Sequence, residues 1–221
     1  MRHLPAVALR EAMHTMRTAL FPLHRLSPLP PAGQRPVPHV VLVHGFLAHP
    51  DMMRPLARHL LSEGWPHVER FSYPSVGLDL PTIVARLAAV VERQGAPVDL
   101  VGHSLGAVVC RAFLKAYGGA PLVRRFVSLG GPHHGTALYR FVPGALRPVF
   151  DPEGPWVQRL AEGPEPVPTT VVRARWDHQV LPPIRARIAE AVEHELPGTG
   201  HNGLLWSREA HKLVARTLAA P

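Results

Sequence analysis

Val98-Asp99-Leu100-Val101-Gly102-His103-Ser104-Leu105-Gly106-Ala107-Val108-Val109 is the stretch on which the reading turns. Val98 to Val101 is a short apolar run of strand type, and Leu105 to Tyr117 reads as a helix stopped by Gly118-Gly119. Between them lies Gly102-His103-Ser104-Leu105-Gly106, a G-x-S-x-G pentapeptide at a strand-to-helix junction. A sharp, strained turn at such a junction holds a serine hydroxyl out for attack on a carbonyl carbon. The glycines suit a turn whose close backbone approach leaves no room for a side chain. An ordinary turn serine can show the same five letters, but the flanking strand and helix favour a nucleophile. The stretch therefore predicts a hydrolase of esters or related acyl compounds.

Working outward, His39-Val40-Val41-Leu42-Val43 reads as a strand buried on both faces, ending at His44-Gly45-Phe46. Asp51 is placed to cap a helix from about Met52 to Ser62, closed by Gly64. His67 to Tyr73 reads as a strand, and Asp79 to Gln94 as a helix with Leu80, Ile83, Val84, Leu87, Val90 and Val91 inward. Arg125 to Leu129, Thr169 to Arg173 and Ala191 to Leu196 read as further strands, the last with Val192 and Leu196 on one face. Ser207 is placed to cap a closing helix to Leu218. This alternation predicts an α/β fold, with a mostly parallel central sheet and helices on both faces. Residues 131–168 are rich in proline and glycine, with short helices expected near Arg140 and Trp156 to Ala161. So long a connection marks a functional loop or small cap.

Residues 1–38 read as an appendage to a domain spanning 39–221. Pro5 suits a first helical turn, and Leu9, Met13, Met16 and Leu20 recur at helical spacing, beside a basic row of Arg10, His14 and Arg17. The expectation is an amphipathic helix docked on the body, with peripheral contact to a membrane surface as the alternative. Six prolines between Pro22 and Pro38 read as an extended linker. Arg10-Glu11 interrupts the apolar centre that a secretory signal would need, and no run approaches membrane-span length. The chain is therefore expected to be cytoplasmic or peripheral to a membrane, with export left open.

The 221 residues carry 46% hydrophobic residues, enough for one domain with a substantial core. The net charge of +8 comes from scattered basic residues, without a block or nucleic-acid motif, so no nucleic-acid partner is expected. The single cysteine, Cys110, excludes an intrachain disulfide and reads as a small buried hydrophobe.

A serine hydroxyl needs a histidine to take its proton and a carboxylate to orient that histidine. On a parallel sheet both should follow strands, where ligand sites lie. Asp177 does so, in Trp176-Asp177-His178 after the Thr169 to Arg173 strand. Its rivals are poorer: Asp99 sits at the wrong end of a strand, Asp79 looks like a helix cap, and Asp151 lies in the irregular segment. Order and placement select His201, after the last strand in Gly200-His201-Asn202-Gly203, over the other histidines; the chain order Ser, Asp, His is that of this architecture. His103 is expected to pack beside its strand. The developing oxyanion needs preorganised N–H donors, expected from Leu105 at a helix start and from Phe46 after the first core strand. His133-His134 near Asp151 invites a zinc reading, but no further ligand spacing supports it; neither metal nor cofactor is expected.

These segments resemble the α/β-hydrolase superfamily, specifically small bacterial lipases and esterases of the lipase class 2 and PGAP1-like kind. The resemblance rests on Val40 to Phe46, Val101 to Gly106, Ser128-Leu129-Gly130-Gly131-Pro132-His133-His134-Gly135-Thr136, the Asp177 segment and Gly200 to Leu205. It implies Ser104 as nucleophile, His201 as base, Asp177 as its acid, and Phe46 and Leu105 as oxyanion donors. It also implies a carboxylic ester or lipid substrate and a minimal lid or none, apart from 131–168. Lipases of this kind are often exported, and residues 1–38 depart from that pattern. A thioesterase or acyltransferase would use the same three residues. A non-catalytic binding protein on this fold is disfavoured by an intact set, and epoxide or haloalkane hydrolysis by the serine at position 104, where those enzymes carry aspartate.

Overall fold

The computed structural model describes residues 4–20 and 28–220. Positions 21–27, where the proline-rich linker begins, lie outside the described residues. Among the described residues six strands, β1 (Val40–Val43), β2 (Val68–Phe71), β3 (Val98–His103), β4 (Val123–Leu129), β5 (Thr169–Ala174) and β6 (Val192–Leu196), form one sheet in the order β2-β1-β3-β4-β5-β6. Every pairing is parallel. The expected α/β-hydrolase sheet is thus present, with β1 and β3 buried along their whole lengths.

Side chains alternate across this sheet, so each strand feeds two cores. Val41, Val43, Leu100 and Phe126 pack on one face against α3 (Leu80–Glu92) and α4 (Leu105–Ala116). Val40, Leu42, Val101 and Val127 pack on the other against α2 (Arg54–Ser62) and α7 (Arg208–Ala219). Local signals behave as their chemistry requires: the Asp79 carboxylate accepts from Thr82 N–H at the start of α3, and Ser207 Oγ from Ala210 N–H at the start of α7. Cys110 is buried in α4, where desolvation pushes its thiol well above its ordinary pKa. That leaves it without thiolate reactivity.

One local expectation is corrected. Asp51 does not cap α2. It lies within a 3₁₀ turn, Pro50–Met53, whose cap is the His49 ring, and its buried carboxylate pairs with Arg70 and Arg54. A desolvated carboxylate is held better by guanidinium than by a single amide. Val192 lies on one face of β6 with Leu196 as expected but, at the start of this edge strand, is 60% exposed while Leu196 is buried. Its neighbours Glu193 and Glu195 bind Arg173, and Glu193 also binds Arg187, which covers that edge with charge.

The helix at the amino end, α1 (Leu4–Ala19), is docked by the opposite side from the one its apolar spacing predicts. Leu9, Met13, Met16 and Leu20 face outward, all at least 40% exposed. Val7 and Glu11 are buried instead, and the helix sits against the 3₁₀ turn Asn202–Leu205. Hydrogen bonds outweigh apolar periodicity here: Asn202 Nδ2 donates to Thr15 Oγ1 (3.0 Å) and Trp206 Nε1 to Thr18 Oγ1 (3.3 Å). Among the described residues, no helix is long and apolar enough to cross a membrane.

Candidate active site

Ser104 stands between β3 and α4 with φ 55° and ψ −123°, a conformation that costs a non-glycine residue energy and persists only when its surroundings impose it. They do. Ser104 N–H donates to Leu129 O (2.9 Å), tying the turn to β4. A Cβ on Gly106 would lie 2.2 Å from Val43 O, and one on Gly102 2.5 Å from Ala107 N, so glycine at these positions is what lets α4 start this close to β1 and to β3 respectively.

His201 and Asp177 are brought together as the sequence predicts. His201 Nδ1 donates to Asp177 Oδ2 (2.7 Å), and both residues are buried. Asp177 Oδ1 accepts from Gln179 N–H (2.8 Å) and Val180 N–H (2.7 Å), so the carboxylate is held at both oxygens. Burial pushes the Asp177 carboxyl up, but the facing His201 charge and these hydrogen bonds outweigh it and hold it below its ordinary value. Burial pushes His201 down, and the charge and hydrogen bond of Asp177, with the charge of Glu11, carry it above its ordinary value. His201 Nε2 is buried without a hydrogen-bond partner, so Ser104 Oγ is not bonded to it in this conformation. Catalytic contacts of this type often close only when substrate binds.

Ser104 and His201 line one cavity of about 410 Å³. Its walls are largely apolar, with Phe46 and Met52 joined by Leu138, Val142 and Phe150 from the 131–168 segment, and Phe46 meeting Phe150 edge to face at 5.9 Å. That segment folds as 3₁₀ turns at Ala137–Phe141 and Gly144–Leu146, then α5 (Arg147–Phe150) and α6 (Pro155–Ala161). Thr15, Thr18 and Ala19 of α1 also reach the cavity.

Of the two expected oxyanion donors, Phe46 lines the same space and Leu105 directly follows Ser104. Leu105 is the first residue of α4, and first-turn amides have no intrahelical acceptor. Phe46 follows β1 and lines the cavity. Its loop is clamped: Leu47 N–H donates to Ser75 Oγ (2.7 Å), and Tyr73 O–H to His44 O (2.6 Å). The His44 ring stacks on Tyr73 at 4.3 Å.

The remaining histidines separate by environment. His103 Nε2 donates to His201 O (3.2 Å), and burial pushes it down to about 3, keeping it neutral. It supports the His201 backbone and lies 4.8 Å, ring to ring, from it. His133 is buried on Ser128 Oγ (2.7 Å) while His134 is exposed, so the adjacent pair diverges. No group of three or more His, Cys, Asp or Glu converges among the described residues. Of the rival carboxylates, Asp99 is bound by Arg124 (2.7 Å), Asp79 caps α3, and Asp151 accepts from Glu153 N–H.

Sequence reasoning assigned no role to Thr136, whose hydroxyl donates to Gln179 O (2.7 Å) and accepts from Leu181 N–H (3.0 Å), bracing the Asp177 loop. It also assigned no role to Glu11, whose carboxylate accepts from the Asn202 and Gly203 amides beside His201. The available signal was a carboxylate breaking an otherwise amphipathic helix.

Among solved structures the chain is similar to Aspergillus fumigatus lipase B (TM-score 0.70, 18% identity, 85% of this chain and 54% of that one). It is also similar to Bacillus licheniformis lipase BlEst2 in its propeptide form (0.69, 15%, 87% and 52%). A third similar structure is the Paleococcus ferrophilus monoacylglycerol lipase (0.66, 17%, 86% and 96%). The chain spans about half the length of the first two, and at these identities the likeness is one of fold. The family described as palmitoyl protein thioesterase matches residues 39–165, which include Phe46, Ser104 and Leu105 but end before Asp177 and His201. That match takes in more than half of the sequence, and the chain belongs to the palmitoyl protein thioesterase family, within the α/β-hydrolase superfamily.

Proposed function

We propose that this hydrolase cleaves carboxylic esters through an acyl-enzyme, with Ser104 as nucleophile, His201 as base and Asp177 as its orienting acid. One observation carries the reading. An imidazole anchored on a buried carboxylate through Nδ1, with Nε2 unpartnered, lines the same apolar cavity as a serine on a strained strand-to-helix turn. Nε2 takes the hydroxyl proton as Ser104 Oγ adds to the carbonyl carbon. The Phe46 and Leu105 N–H groups receive the oxyanion. His201 returns the proton to the leaving alcohol, and water, deprotonated in turn by His201, releases the acid and restores Ser104. The apolar walls favour an apolar acyl group, as in a simple or lipid ester.

The family match favours a second reading, a thioester substrate, for which the same steps expel a thiol. Acyl transfer to an alcohol in place of water is the remaining alternative. Matched oxygen esters and thioesters across an acyl-length series, with and without an alcohol acceptor, separate the three. Ser104→Ala is expected to remain folded, lose fluorophosphonate labelling and lose at least about a thousandfold in turnover. Retention of most activity by that variant would remove Ser104 from the mechanism.

We also propose peripheral contact with a lipid surface through α1. Its outward stripe of Leu9, Met13, Met16 and Leu20 has exposed Arg10 beside it, and the helix borders the cavity on its other side. The net charge of +8 suits anionic headgroups.

A further inference from the structure

We propose that Glu11 is a positioning residue of the active site, its carboxylate reaching from the amino-terminal helix to fix the loop that carries His201. Glu11 is 8% exposed, and both of its oxygens are used. Oε1 accepts from Asn202 N–H at 2.6 Å and Oε2 from Gly203 N–H at 3.0 Å, the two amides that directly follow His201. Buried backbone donors left without an acceptor are costly, so this carboxylate completes a turn that has no acceptor of its own there. The fit is tight on the other flank: a Cβ on Gly200 would lie 2.5 Å from the Glu11 carboxyl carbon, so glycine before His201 is what lets the helix approach. His201 is therefore held from three directions: at Nδ1 by Asp177, at its carbonyl by His103, and at the two following amides by Glu11.

Placement also gives Glu11 an electrostatic role. The groups facing His201 are Asp177 and His178 from the loop after β5, His103 at the end of β3, and Glu11 from α1. Two of these carry negative charge, and His103 is held neutral. His178 Nδ1 lies 3.7 Å from Glu11 Oε1. A second carboxylate beside the base stabilises the imidazolium formed when it takes the serine proton. Glu11 touches neither substrate nor reacting atoms. It acts through the position and basicity of His201.

This inference rests on the hydrolase reading for its kinetic arm, and its second arm does not. The full chain and its Glu11→Gln, Glu11→Asp and Glu11→Ala variants are compared by thermal melting, by kinetics on a soluble short-chain ester from acid to alkaline pH, and by NMR titration of the His201 ring. Glu11→Gln keeps the side-chain shape and removes the charge. It is expected to fold, to lose about tenfold in kcat with KM nearly unchanged, and to move both the acid limb of kcat/KM and the His201 titration to lower pH. Glu11→Asp should recover part of the titration shift. A folded Glu11→Gln protein with unchanged kcat and unchanged His201 titration overturns the inference. So does a loss of kcat without any titration shift, which is what a purely structural contact would give. If Glu11→Ala fails to fold, the other two variants decide. If the wild-type chain turns over no ester or thioester, the hydrolase reading fails, while the His201 titration still decides whether Glu11 is coupled to it.

Discussion

His44 Nδ1 donates to the carbonyl oxygen of the next residue, Gly45, at 3.0 Å. A carbonyl can only accept, so the proton is on Nδ1, and Nε2 is left to accept from Tyr73 N–H (3.5 Å). Burial pushes the His44 ring down to about 4, so it remains neutral throughout the working range. The Gly45–Phe46 peptide is planar, with its C=O and N–H pointing opposite ways. Holding the Gly45 oxygen on His44 Nδ1 therefore fixes the orientation of the Phe46 N–H, which points away from that bond, and Phe46 lines the cavity.

This relationship makes His44→Ala a test of the oxyanion donor. The variant is expected to lose up to about a hundredfold in kcat with little change in KM, since the donor acts mainly in the transition state. Tyr73→Phe, which removes the O–H bond to His44 O, should give a smaller loss in the same direction. Equal losses in kcat and in binding of a ground-state ester analogue would contradict the assignment.

On the proposed mechanism the Asp177–His201 pair sets the pH dependence. A base must be neutral, and the folded protein raises His201 above 6.5, so kcat/KM should rise with pH along a limb centred above that value. Asp177→Asn removes the first of the charges that raise it. The limb should move to lower pH, and turnover should fall by about 10⁴, because the amide can stabilise the wrong tautomer. Stability follows with the opposite signs for the two groups. The His201 contribution is fully present below 6.5 and is lost as pH rises through its raised folded value. The Asp177 contribution is present above 3.8 and is lost as pH falls through its lowered folded value. Thermal melts of the wild type against Asp177→Asn should therefore differ most between those two limits.

Gly130, at φ 59°, sits behind the pair. A Cβ there would lie 2.9 Å from Leu204 Cδ1, 3.4 Å from His201 Nδ1 and 3.5 Å from Asp177 Oδ2. Gly130→Ala is expected to cost about 1–2 kcal/mol of stability from the backbone alone. It should also reduce kcat by displacing the Asp177–His201 hydrogen bond, read by chemical denaturation alongside steady-state kinetics. A variant of wild-type stability and rate would show that the close approach is not constraining.

Contact with a lipid surface is checked by sedimentation with vesicles of phosphatidylcholine alone or mixed with phosphatidylglycerol. Binding is expected to the anionic mixture and to weaken as salt rises. Leu9→Glu with Met13→Glu should abolish it while leaving turnover of a soluble ester unchanged, because both side chains face away from the cavity. Binding that survives the double substitution would place the contact elsewhere.

The sheet was legible along the chain because each strand is a short run of β-branched and apolar residues set between turn residues. Val40 to Val43 and Val98 to Val101 are clear examples. The meeting of Asp177 with His201 beside the Ser104 turn was legible because a parallel sheet gathers the residues that follow its strands at one end. The docked face of helix α1 was not legible, because apolar spacing counts side chains and not unsatisfied amides. Its buried face is chosen by Glu11, Thr15 and Thr18 meeting donors near residue 202.

Linear order alone thus determined the alternation of strand and helix, the strained serine turn between its glycines, and the choice of carboxylate and imidazole, since each follows from local pattern and sheet direction. Only the tertiary structure decided that Glu11 joins the His201 loop, that His44 orients the Gly45–Phe46 peptide, and that α1 turns its apolar stripe outward. Those outcomes depend on which buried donors lack an acceptor once distant segments meet. No local window of sequence contains that information.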